Sequence, residues 1–253
     1  MKAEKVQKKN PHRLTVNQHI FPTNSISRFT NDRKLVQLCR VNESRVISVK
    51  PSNPIFCVER RWDQRAEAGY MKSIEDRFQV VASRLNSQKR PIVYPFDYKS
   101  ITEMYALWCL RFHAKYKPRQ NRNIIGIPED NLTKDQEEIL ESKHSAYVRG
   151  HKGEIASHVM AGLGIQPELT RFMNHYRHIS WAIFDISDTG LEFIVPECFP
   201  ELVCLPLSPT RILISEQSAN TEMTEQHIRH INRHAIESSK EYYFARDFSK
   251  CGV

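Results

Sequence analysis

Tyr70, Ile74, Phe78, Val81 and Leu85 recur every three or four residues. That spacing predicts one amphipathic helix over residues 64–88. Pro91 and Pro95 break it, and a second helix over 100–116 carries Ile101, Tyr105, Trp108 and Phe112 on one stripe before Pro118. Ahead of both, apolar runs at 35–39 and 45–49 flank Asn42, Glu43 and Ser44 and predict a hairpin. Behind them, Thr133 with Gln136 three residues on has the pattern of a capping box opening a helix. Gly150 and Gly153 interrupt that helix, and a further one over 154–163 stops at Gly162-Leu163-Gly164. Four apolar runs follow, at 179–186, 191–195, 202–207 and 212–215, separated by Asp188-Thr189-Gly190 and by prolines. They predict strands, the first two paired as an antiparallel hairpin. A terminal helix over 221–239 leads to an edge strand at 242–245.

The expected fold class is α+β: a helical N-terminal half packed on a small, mostly antiparallel sheet, with a C-terminal helix. Residues 17–253 form one domain with a polar, mobile insert near 118–153, and residues 1–16 form a flexible basic arm. At 40% hydrophobic and 26% charged residues the composition is that of a soluble globular protein, which argues against long disorder. No apolar run reaches the length of a membrane span and the N-terminus lacks an apolar signal core, so a cytoplasmic protein is expected. The cysteines, Cys39, Cys57, Cys109, Cys198, Cys204 and Cys251, show no Cys-x-x-Cys spacing and read as reduced core thiols.

Charge changes the picture of partners more than of fold. The net charge of +8 is concentrated in an arm, Lys2, Lys5, Lys8, Lys9 and Arg13, and in a cluster, Arg111, Lys115, Lys117, Arg119 and Arg122. The cluster is interleaved with Trp108, Phe112 and Tyr116. Cations that neutralise phosphates and rings that stack on bases suit single-stranded nucleic acid or an acidic protein. The same aromatics also fall on the predicted apolar stripe, where they would be core and the cations its solvated end.

Catalytic chemistry is thinly represented. No Gly-rich phosphate loop or nucleophile elbow is present, and no metal or cofactor is expected. His227, His230, His234 and Glu237 share a side of the terminal helix, but the stripe of Ile228, Ile231, Ala235 and Ile236 turns them to solvent. Asp63 suits a helix cap, and Glu67 the positive end of the helix dipole. His19 precedes Pro22, which can set a helical turn, and reads as a buried staple or as an acid–base group.

His19, Pro22, Ile26 and Phe29 also follow a known pattern, His-x-x-Pro-x-x-x-Leu-x-x-Phe, with Ile in place of Leu. It resembles the family numbered 4238 among domains of unknown function, found in bacteria and their phages. A later pattern of that family, Phe-Ile-x-Ser-Asp-x-Pro, starts at Phe193-Ile194 and then departs, with Val195-Pro196-Glu197-Cys198-Phe199-Pro200 and no aspartate. Pro206-Leu207-Ser208-Pro209 and the helix of Asn232 follow it better, so the likeness spans roughly residues 17–246. Size and basicity are further similar to temperate-phage exclusion proteins. That resemblance implies a protein that blocks an invading phage by binding and disabling its single-stranded DNA-binding protein. The alternative is a metal-dependent nuclease using His19 with carboxylates such as Glu67, Asp185 or Glu192.

Overall fold

The structure, a computed structural model, describes residues 3–43, 45–126, 131–150, 153–215 and 222–253. The family-like segment forms strand β1 (Asn17–His19) and helix α1 (Thr23–Ser27), with Pro22 as the residue before the helix. The predicted hairpin is present: β2 (Val36–Arg40) pairs antiparallel with β3 (Arg45–Val49), Val36 opposite Val49. Ser44 at its turn lies outside the described residues. β4 (Cys57–Glu59) then returns to pair with β1.

Asp63 opens the long helical stretch, accepting from the Ala66 N–H at 3.1 Å. One π-helical turn, Ala66–Met71, contains the non-helical Gly69 and leads into α2 (Lys72–Ser87). Helix α3 (Pro95–Tyr116) begins five residues before the expected start. Pro95 is the reason, because a proline breaks a helix only in its interior; in the first turn its missing N–H costs nothing.

After β5 (Arg122–Asn123), Thr133 and Gln136 form the predicted capping box of α4 (Lys134–Ser142). β6 (Glu154–Ile155) pairs with β5, so the expected mobile insert carries a short ladder of its own. Helix α5 (Ser157–His175) does not stop at Gly164; it runs on through Pro167. Gly162 answers a packing demand instead, since a Cβ there would lie 1.9 Å from Asp63 Oδ1.

The C-terminal strands are β7 (Trp181–Asp185), β8 (Val195–Pro196), β9 (Cys204–Ser208) and β10 (Arg211–Ser215). β10 lies between β7 and β9 in a three-stranded antiparallel sheet. The expected β7 hairpin with 191–195 is absent because those backbone donors are spent elsewhere. Glu192 N–H reaches Lys250 O, Phe193 N–H reaches Pro209 O, and Ile194 N–H reaches Asn232 Oδ1. Asn232 belongs to α6 (Glu225–Ser238), which starts after Thr224; the expected start at Thr221 lies outside the described residues. The last strand, β11 (Tyr242–Ala245), is no edge. It sits between β2 and β8 in the order β3-β2-β11-β8, with Tyr242 and Phe244 buried.

The class is therefore α+β, with the C-terminal helix in place. One continuous core runs from Ile20 to Cys251 and includes all three tryptophans, and a small satellite forms around Tyr147, Ile155, Ala156 and Val159. All six cysteines are free. Among the described residues no helix is long and apolar enough to cross a membrane. The N-terminal arm, expected to be flexible, is tied to α4 and its surroundings. Glu4 pairs with Lys134 and Arg149, each at 2.6 Å, His12 meets Asp135 at 2.7 Å, and Leu14 is buried.

Candidate functional site at the α3–α5 groove

Two of the five cations expected at the surface face inward. The Arg111 side chain is only 1% exposed; it donates to Glu75, has Glu67 at 3.6 Å, and lies 5.4 Å from the Trp62 ring centre. Burial opposes its charge, but Glu75 and Glu67 outweigh this and raise its pKa further. One turn on, Lys115 bonds Glu197 at 2.6 Å and Glu241 at 2.8 Å. Trp108 and Phe112 are buried in the core. Helix α3 is covered on most of its circumference, so Arg111 and Lys115 meet carboxylates of this chain before any partner.

Lys117, Arg119 and Arg122 remain exposed. Lys117 and Arg119 rim a groove of about 420 Å³ between α3 and α5, whose floor is Leu110, Ala114, Ala161 and Ile165. Arg119 pairs with Glu168 across the rim, and it passes so near Gly164 that a Cβ there would sit 3.3 Å from its guanidinium. Lys117 and Arg122 make no ion pair among the described residues. An apolar floor beside one unpaired cation, Lys117, suits an acidic segment that also carries apolar side chains.

The motif residues are placed differently. Phe29 is buried edge-on against Phe244, ring centres 5.7 Å apart, and Pro22 O accepts the first backbone bonds of α1. His19 Nε2 lies 3.3 Å from Pro51 O and Nδ1 lies 3.5 Å from Cys57 Sγ. Burial holds His19 below the ordinary histidine range and pushes the Cys57 thiol up to about 11. Glu67, raised by burial against the pull of Arg111, takes a 2.5 Å hydrogen bond from Trp62 Nε1. His19 thus ties β1 to Pro51 and to Cys57 of β4, while Arg111 and Glu75 tie α3 to α2.

Of the other carboxylates considered with His19, Asp185 is engaged by Arg211 at 2.7 Å and Glu192 by Arg246 at 2.6 Å. On α6, His234 stacks on Phe199, His227 Nδ1 faces the Thr224 N–H at 3.3 Å, and His230 is exposed. Among the described residues no group of three or more His, Cys, Asp and Glu side chains could hold a metal.

A buried network escaped the sequence reading altogether. Arg60 donates to Glu141 at 2.9 Å, and His158 Nε2 lies 3.4 Å from the same carboxylate. Burial pushes Glu141 upward, but the bonds from His158 and Arg60 prevail and hold its pKa at about 2. Its only signal is the run Glu137, Glu138 and Glu141 on α4, and an acidic helix face reads as solvated. Comparison with known proteins finds no matching family model, no matching curated protein and no matching solved structure.

Proposed function

We propose that this chain is a phage-exclusion protein: in the cytoplasm of its host it binds and disables the single-stranded DNA-binding protein of an invading phage and so stops that phage's replication. The pattern of His19, Pro22 and Phe29 supports the class, and the net charge of +8 supports an acidic partner. The observation that carries the binding reading is the α3–α5 groove, apolar at Leu110 and Ile165 and bordered by Lys117. An acidic segment laid in it would neutralise Lys117, which makes no ion pair among the described residues. No bond-breaking step is required of the protein, since sequestration alone removes the target from replication.

The test pairs capture with plating. The purified single-stranded DNA-binding protein of a sensitive phage is expected to co-elute with this chain, and expressing the chain is expected to lower that phage's plating efficiency. Reversing the rim charge, Lys117→Glu, should remove capture and exclusion together while the unfolding free energy stays within about 0.5 kcal/mol of the parent. Undiminished plating on cells expressing the parent chain would sink the exclusion reading. Full capture by the reversed variant would remove the groove.

A further inference from the structure

We infer that the segment joining α2 to α3 is a stacking platform for single-stranded nucleic acid, separate from the α3–α5 groove and independent of what that groove binds. Ile92, Tyr94 and Phe96 are 54%, 40% and 76% exposed. The Tyr94 and Phe96 rings stack on each other, centres 5.2 Å apart and planes 13° from parallel. Single apolar side chains on a surface need no explanation. Three at alternate positions, two of them parallel rings, form a patch.

The patch is held in place without being covered. Tyr94 N–H donates to Asp97 at 2.8 Å, and Arg84 reaches the same carboxylate at 2.5 Å. Arg84 also donates to Ile92 O at 3.1 Å and lies 5.4 Å from the Tyr94 ring centre. One guanidinium therefore fixes the backbone on both sides of Tyr94 and packs on its ring. Phe96 is left with most of its ring in water, already oriented.

Charge selects the occupant. Lys89, Arg90 and Lys99 are exposed and make no ion pair among the described residues. Lys99 lies three residues beyond Phe96 on α3, on the same face. The sole carboxylate between residues 88 and 102 is Asp97, and it is buried under Arg84. The open face of Phe96, backed by Tyr94 and with cations at either end, matches an unpaired base and its flanking phosphates. Duplex bases are stacked on one another and could not use the rings. Unlike Trp108 and Phe112, which are buried, Phe96 has most of its ring in solvent.

The experiment is a fluorescence-anisotropy titration of the full chain with a labelled oligothymidylate of about 12 nucleotides, and with a duplex of equal length. The single strand is expected to bind more tightly than the duplex, with affinity falling as salt rises. Phe96→Ala should weaken single-strand binding about tenfold, whereas Phe96→Trp should bind at least as well as the parent. Lys89→Glu with Lys99→Glu should also weaken it and flatten the salt dependence. All these side chains are exposed, so an unchanged melting temperature confirms that each variant is folded. Absence of single-strand binding by the parent, equal affinity for the duplex, or an unaffected Phe96→Ala variant would each overturn the inference. So would a Phe96→Ala variant that binds the oligonucleotide normally but loses exclusion, which would assign the rings to a protein partner.

Discussion

Arg111 on α3 donates to Glu75 on α2 from a position where almost none of its side chain meets solvent. The pair sits inside the contact between the two helices, with Glu67 close by. Arg111→Ala would leave two carboxylates without their counter-charge, and the expected loss is about 3–5 kcal/mol in urea denaturation. Lys117→Glu, on the exposed side of the same helix end, should cost less than about 0.5 kcal/mol. Equal effects from the two substitutions would show that Arg111 is not committed to the fold.

Phe29 tests the motif as structure. It is fully buried, with its ring edge-on to Phe244. Phe29→Ala removes both transfer energy and ring contacts, and should lower stability by roughly 3–5 kcal/mol. The denaturation midpoint, read beside plating efficiency, decides the matter. A variant as stable as the parent but unable to exclude phage would make this motif a contact surface.

Glu141 gives the acid limb of stability a residue-level cause. Its folded pKa of about 2 lies below the ordinary 4.5, so its contribution is complete above about pH 4.5 and is lost as pH falls toward 2. The amount is on the order of 3 kcal/mol. Asp63 and Glu67, which burial raises, contribute with the opposite sign. Comparison with Glu141→Gln isolates the effect: the parent should be the more stable at neutral pH, and the gap should narrow steadily in acid. A gap that is constant with pH would show that Glu141 titrates normally.

The N-terminal arm should be worth a measurable amount. Removing residues 1–9 deletes Glu4, the shared partner of Lys134 and Arg149, and Gln7, whose N–H donates to Glu138 at 2.8 Å. Arg149 keeps Glu137 and Glu154. These pairs are partly solvated, so the expected cost is roughly 1 kcal/mol, with faster amide exchange in α4. Unchanged exchange in α4 would mean that the arm adds nothing to its stability.

Much of the architecture is legible in the chain because it is local physics. The stripe of Ile74, Phe78, Val81 and Leu85, the Thr133–Gln136 cap and the alternation across 36–49 each act over a few residues. Together they determine the helices, the hairpin and the α+β class. Only the tertiary structure decided the rest, because it depends on groups far away in sequence. Helix α5 passes Pro167 while packed along α3 and the turn before α2, and β11 is central because β2 and β8 take its two sides. Arg111 and Lys115 look like surface cations until Glu75, Glu197 and Glu241 close over them. A side chain's type states the cost of burying it; whether it is buried depends on the partners that the distant chain brings to meet it.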